Sequence, residues 1–207
     1  MSIPNQSESP ENFCGTTYAA KLLGLSVGTI QSLVEKNELH AWKTQGGHRR
    51  ISMPSFREYQ RRHNMPVLTA EHQRERLQVL VVDDDPVSRD MLKDLTSRTE
   101  IAVDCTLMSS GLEALIDIAS IQPDVLIADL HMPGVDGFEL LRTLRSTPQF
   151  AKMSCLAISA LSTAEIDARG GLPEGVIFMR KPLGLHWLNG FFAAIKASGQ
   201  TQMAAGR

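Results

Sequence analysis

Apolar residues change rhythm twice along this chain. Residues 1–14 are polar, with Pro4, Pro10 and several Ser, Asn and Gln, and read as a disordered start. Helical spacing begins at Thr16 or Thr17, either of which can cap a helix over Tyr18–Leu23 that Gly24 ends. Ser26 caps a second helix, Val27–Lys36, whose buried face includes Ile30, Leu33 and Val34. Leu39, Trp42 and Ile51 then alternate with polar residues around Thr44-Gln45-Gly46-Gly47, a two-stranded pattern closed by a turn. Pro54 opens a short helix through Phe56 and Tyr59. Trp42, Phe56 and Tyr59 read as the core of this small domain, taken as residues 15–62. Residues 63–77 are polar, contain Pro66 and read as a linker.

From Gln78 the rhythm is different. A nearly all-apolar strand is expected at Gln78–Val82, with further strands at Val103–Leu107, Asp124–Asp129, Met153–Ser159 and Gly175–Met179. Between and after them, helical spacing marks Met91, Leu92 and Leu95, then Gly111–Ile121, residues 137–146, residues 163–169 and Leu185–Ala197. Five strands alternating with five helices predict an α/β domain over residues 78–198, a five-stranded doubly wound parallel sheet covered on both faces. Residues 199–207 are small and polar and read as a flexible tail.

Composition narrows the class. With 43% hydrophobic and 21% charged residues in 207, the chain is neither fibrous nor wholly disordered. No run is long and apolar enough to cross a bilayer, and no secretory signal is visible, so a cytoplasmic protein with no membrane partner is expected. Cys14, Cys105 and Cys155 are odd in number and widely spaced, unlike a disulfide framework or a zinc site. The net charge of −2 conceals an asymmetry: residues 36–62 hold seven Lys or Arg against two acids, which suggests a polyanion partner for the first domain alone.

The chemistry concentrates in the second domain. Open parallel sheets hold their ligands beyond the carboxyl ends of the strands. Asp83, Asp84 and Asp85 follow the first strand, Asp129 ends the third, Ser159 ends the fourth, and Lys181 follows the fifth. Crowded carboxylates repel one another unless a hard cation such as Mg²⁺ relieves them, and a lysine with a hydroxyl suits phosphoryl oxygens. The constellation reads as an aspartate that accepts a phosphoryl group.

These pieces resemble the receiver domain of two-component response regulators, a flavodoxin-like fold. The motifs are Val81-Val82-Asp83-Asp84-Asp85-Pro86, Asp129 through Gly137, Ala157-Ile158-Ser159-Ala160 and Lys181-Pro182. The resemblance implies phosphorylation on Asp129. It implies Mg²⁺ held by Asp84, Asp129 and the backbone carbonyl of His131, with Asp83 acting through water. Ser159 would be the switch hydroxyl, Lys181 the phosphoryl-binding cation, and Phe178 the aromatic that repacks with Ser159. The chain would then be a regulator with phosphoaspartate self-phosphorylation and autodephosphorylation chemistry rather than a metabolic enzyme.

In the first domain, two helices joined by Gly24-Leu25-Ser26 form a helix-turn-helix pattern, and its second helix exposes small and polar side chains suited to a major groove. With Gly47-His48-Arg49-Arg50-Ile51 beyond it, residues 16–60 resemble the winged helix-turn-helix of the excisionase and MerR-type families. Carried over, the candidates for contact with double-stranded DNA are Thr29, Gln31, Ser32, Lys36, His48, Arg49 and Arg50. Gln31 and Ser32 depart from the Arg-Tyr usual in MerR proteins, and their long dimerisation helix is not seen.

Together the halves predict a DNA-binding response regulator, phosphorylated by a histidine kinase or phosphotransfer protein and acting as a homodimer on DNA to control transcription. Two other readings stay open. The receiver could serve only as a dimerisation scaffold, or the first module could bind a protein and make the chain a phosphotransfer or interaction adaptor.

Overall fold

Residues 13–43, 49–63, 65 and 76–204 are described by the structure, a computed structural model, with side chains described to Ser198. The chain forms two compact units, residues 1–69 with 116–122, and residues 70–115 with 123–207. Among the described residues no helix is long and apolar enough to cross a membrane.

The first unit contains β1 (Phe13–Gly15), α1 (Thr16–Leu23), α2 (Val27–Glu35), β2 (Ala41–Lys43), β3 (Arg49–Ser52) and α3 (Met53–Arg62). Its sheet is antiparallel in the order β1-β3-β2, so the expected two-stranded pattern gains a third strand. Phe13 and Cys14 therefore lie in a strand and not in a disordered start. The reason is local: Cys14 pairs with Ile51 and both are fully buried, so extending the backbone here adds a side chain to the core. That strand also shifts the helix start, because Gly15 is the N-cap of α1 and Thr16 already its first residue.

The turn between α1 and α2 follows its residues. Gly24 adopts φ 65°, the left-handed conformation that favours glycine, and Leu25 N donates to Ala20 O at 2.9 Å. Ser26 Oγ accepts from Thr29 N at 3.0 Å, capping α2 as expected. Ile30, Leu33, Phe56 and Tyr59 are buried, while Val34 is only partly so. Trp42 departs from the expected core, at 39% exposed. It pairs with Arg50 on edge strand β2, on the opposite sheet face from Ile51, and meets Phe13 edge-on at 6.0 Å between ring centroids.

The second unit's sheet is built from β4 (Leu77–Val82), β5 (Val103–Met108), β6 (Val125–Asp129), β7 (Ser154–Ser159) and β8 (Val176–Arg180). The helices that follow its strands are α4 (Pro86–Ser97), α5 (Gly111–Ile121, counted with the first unit from Ile116 on), α6 (Gly137–Arg145), α7 (Thr163–Ala168) and α8 (Leu185–Ala204), and a short 3-10 turn at Pro148–Phe150 was not expected. All four strand pairings are parallel, in the order β5-β4-β6-β7-β8, which is the doubly wound arrangement predicted. Every residue of β6 is buried, as a central parallel strand covered on both faces requires. Val79, Val81, Ile127 and Ile158 pack with Leu188 and Phe192 of α8 in one core. No proline interrupts residues 198–204, and α8 continues to Ala204, so the expected flexible tail at 199–207 is helical over most of its length. The order reverses at β4, which pairs with β5 on one side and β6 on the other. This opens a crevice beyond their carboxyl ends.

Candidate functional site

Asp83 follows β4 and Asp129 ends β6, so both reach the crevice. One oxygen from each of Asp83, Asp84 and Asp129 lies within 4.8 Å of the others. Asp83 is fully buried and Asp129 is 8% exposed, whereas Asp84 is open to solvent. Lys181 enters from the end of β8, its backbone N donating to Ser159 O at 2.9 Å and its peptide bond to Pro182 cis. Its ammonium donates to Asp83 Oδ2 at 2.8 Å and to Asp129 Oδ2 at 2.9 Å. Burial pulls the Lys181 pKa down, but hydrogen bonds to Asp83 and Asp129, and then their charges, outweigh it and hold the group above its ordinary value.

The surrounding backbone fixes the acids. Asp83 Oδ1 accepts from Asp85 N at 3.0 Å, and Asp129 Oδ1 accepts from His131 N at 3.2 Å. Asp85 caps α4, accepting from Val87 N at 3.2 Å and Ser88 N at 3.0 Å. At the first residue of α6, a Cβ on Gly137 would stand 2.1 Å from Asp129 O, so the helix start can press against the Asp129 backbone only without a side chain.

The expected residues do not all converge. Asp83, Asp84, Asp129 and Lys181 form one cluster. Ser159 is buried at the end of β7, where its Oγ accepts from Leu161 N at 3.3 Å. Phe178 is half-buried on edge strand β8, in register with Ala157. The His131 side chain is exposed. Sequence reasoning missed two residues. Ser88 Oγ lies 2.6 Å from Asp83 Oδ2, and Arg89 Nη1 donates to the carbonyls of Asp83 at 2.6 Å and Asp84 at 2.8 Å. A signal was available for the first: Ser88, Leu92 and Thr96 share the buried stripe of α4, and a hydroxyl there needs a partner.

On the first unit, Thr29 is exposed, and its hydroxyl lies 2.8 Å from that of Ser26. Gln31 and Ser32 are half-buried and Lys36 is exposed at the end of α2. Arg49 pairs with Glu35 of α2 at 3.2 Å. Arg50 is 8% exposed, and its guanidinium pairs with Asp117, which belongs to the same compact unit. His48 lies outside the described residues.

The three carboxylates offer only oxygen donors, a set that suits a hard divalent cation such as Mg²⁺. Comparison with known proteins agrees with this picture of the fold. The model of the response regulator receiver domain matches residues 79–188, and that of a helix-turn-helix domain matches residues 13–64. A gliding motility regulatory protein of Myxococcus xanthus is 35% identical over 129 residues, 60% of this chain and 16% of that protein. The response regulator MprA of Mycobacterium avium is 45% identical over 113 residues, 54% of this chain and 47% of that protein. The chain thus spans less than half the length of either relative. Among solved structures, a putative response regulator from Chloroflexus aurantiacus is 27% identical with a TM-score of 0.51, covering 59% of this chain and 98% of its own. The receiver domain of a sensor histidine kinase from Pseudomonas aeruginosa, described with a magnesium ion in its active-site cleft, has the same fold at 18% identity and a TM-score of 0.51. It covers 59% of this chain and 98% of its own. With more than half of its residues matched by that one model, the chain belongs to the response regulator receiver domain family and carries a helix-turn-helix domain ahead of the receiver.

Proposed function

We propose that this chain is a DNA-binding response regulator. It accepts a phosphoryl group on Asp129 from a histidine kinase or phosphotransfer protein, and this alters its dimerisation and its hold on double-stranded DNA to control transcription. The observation that carries the reading is the Lys181 ammonium held between Asp83 and Asp129 at 2.8 and 2.9 Å, beside a third carboxylate. A lone salt bridge needs one acid; two acids on one lysine, with a third carboxylate grouped beside them, suit a phosphoryl acceptor and a cation site.

A carboxylate oxygen of Asp129 attacks the phosphorus of a phosphohistidine. The P–N bond breaks, its electron pair returns to the imidazole, and the phosphoryl group becomes an acyl phosphate. Asp84, Asp129 and the His131 carbonyl would hold Mg²⁺, with Asp83 acting through water; when bound, the ion supplies positive charge to phosphoryl oxygens. Lys181, already paired with Asp129, follows the new phosphoryl oxygens. Ser159 then turns toward them and Phe178 repacks, which changes the surface around β8. The face of α2 that carries exposed Thr29 and Lys36 beside half-buried Gln31 and Ser32 reads a major groove, while His48 and Arg49 serve the backbone contacts; Arg50, buried and paired with Asp117, does not reach them.

The test is binding of the full chain to a randomised duplex pool, with and without Mg²⁺ and acetyl phosphate, alongside oligomer mass. A selected motif should appear, with affinity or stoichiometry that shifts on phosphorylation, and Asp129→Ala should abolish both the label and the shift. A motif bound identically in every condition would reduce the receiver to a scaffold. No enrichment in any condition would favour the adaptor.

A further inference from the structure

We propose that Ser88 is a positioning residue of the phosphoryl site, a hydroxyl that ties the Lys181 ammonium to the Asp83 carboxylate. The inference rests on the reading of Asp129 as phosphoacceptor given above. Ser88 is 8% exposed, on the first turn of α4, where the Asp85 cap fixes its backbone N at 3.0 Å. Its Oγ is 2.6 Å from Asp83 Oδ2 and 3.3 Å from Lys181 Nζ.

The direction of these bonds follows from the donor inventory. An ammonium has three protons and no lone pair, so Lys181 donates to Ser88 and cannot accept from it. The single hydroxyl proton of Ser88 is then left for Asp83, whose carboxylate only accepts. Lys181 thereby has a partner for each of its three protons: Asp83, Asp129 and Ser88. Asp83 in turn receives Asp85 N on one oxygen, and Ser88 with Lys181 on the other. No methyl group can replace this bridge, because it would leave an ammonium proton and a lone pair of a fully buried carboxylate without that partner.

The consequence reaches the chemistry through two other residues. Asp83 comes from the end of β4 and Lys181 from the end of β8, so Ser88 on α4 fixes the distance between groups on separate elements. Phosphorylation takes away the carboxylate oxygen that Lys181 holds on Asp129 and offers phosphoryl oxygens in its place. Through that exchange Ser88 and Asp83 remain as the fixed partners that keep the ammonium aimed at the reacting centre. Outer partners of this kind change metal affinity or activity by about 10–100-fold when removed.

The experiment compares wild type with Ser88→Ala, Ser88→Val and Ser88→Thr in the full chain. Calorimetry with Mg²⁺ alone gives ion affinity, and acetyl phosphate at saturating Mg²⁺ gives the labelling rate. Ser88→Ala and Ser88→Val should each weaken Mg²⁺ binding about tenfold and slow labelling by a similar factor. Ser88→Thr should restore both to within about threefold of wild type, since threonine keeps the hydroxyl that the isosteric valine lacks. Wild-type behaviour in Ser88→Ala and Ser88→Val would overturn the proposal, and so would equal losses in all three variants, which would make the effect one of volume. A wild type that neither takes up Mg²⁺ nor gains an Asp129-dependent label would overturn the phosphoacceptor reading and this inference with it.

Discussion

Beyond the sheet, one ammonium holds two nearly buried carboxylates at 2.8 and 2.9 Å, and a serine and an arginine brace the same loop. On the helix-turn-helix, Arg49 meets Glu35 at 3.2 Å with the acid's side chain 67% exposed, and Thr29 and Lys36 stand open to solvent. The two regions carry charge for different purposes. A site that moves a phosphoryl group needs its charges fixed before the substrate arrives, because low-dielectric surroundings strengthen each contact and spare reorganisation. A surface that meets a polyanion gains from mobile, hydrated cations, whose counterions are released on binding. Substitutions should therefore act sharply in the first region and gently in the second.

Lys181 should give the largest effect. Lys181→Met removes the cation from between Asp83 and Asp129, and labelling by acetyl phosphate is expected to fall at least ~100-fold, the scale for losing one preorganised donor. Urea unfolding against pH checks the same pair independently. The folded-state pKa of Lys181 is raised, so its stabilisation is fully present below the ordinary lysine value of about 10.5 and is lost as pH rises through the folded pKa above it. The stability difference between wild type and Lys181→Met should shrink above that pH and stay constant from neutrality up to it. A difference that ignores alkaline pH would break the account of how the site is held.

Two glycines at helix starts sharpen the comparison next. A Cβ on Gly137 would sit 2.1 Å from Asp129 O and 2.7 Å from Leu130 Cα, both backbone atoms that cannot swing aside. Gly137→Ala should cost about 3 kcal/mol in urea unfolding, at the upper end for overpacking, and should slow labelling because the Asp129 backbone moves. At Gly28 the nearest atom to an added Cβ is Ser26 Oγ at 3.7 Å, in ordinary contact. Gly28→Ala should stabilise the protein by about 0.5–1 kcal/mol through helix propensity alone. If the exposed face of α2 enters a groove, the same methyl should weaken DNA binding. Equal stability changes at the two positions would refute the contrast.

What the sequence made legible divides along the same line. The five parallel strands were readable because runs such as Val125–Ala128 are apolar throughout, and Asp129 and Lys181 were placed by topology once the strands were known. Ser88 was not, because serine on a first helical turn commonly serves the cap, and here Asp85 fills that role. In the small domain the helices were legible from Ser26 and Gly24, and two strands of the sheet from the alternation around Trp42 and Ile51, but the third strand was not. A three-residue strand such as Phe13–Gly15 carries too few alternations to show a period. Trp42 was misjudged for a related reason: large apolar residues are assigned to the core by default, and its outward position depends on a pairing with Arg50 that no local pattern contains.

The smallest expected effect tests the gentler region. Glu35 and Arg49 form a solvent-exposed pair with side chains 67% and 23% exposed, so Glu35→Gln should change unfolding stability by no more than about 0.5 kcal/mol after screening by solvent. Its effect on DNA should be larger and opposite in sign. Glu35 is spaced four residues from Gln31 and three from Ser32 on α2, the helix proposed to enter the groove, where a carboxylate repels phosphate and also occupies Arg49. Removing the acid frees that arginine, so affinity for a random duplex should rise. The slope of log affinity against log salt should steepen by about one phosphate contact, and Arg49→Gln in the same background should reverse the gain. A steeper slope with unchanged stability is what a polyanion-binding surface requires. If stability falls by several kcal/mol while the slope stays fixed, the Glu35–Arg49 pair behaves as the Lys181 cluster does, and the division between the two regions fails at the point where it was drawn.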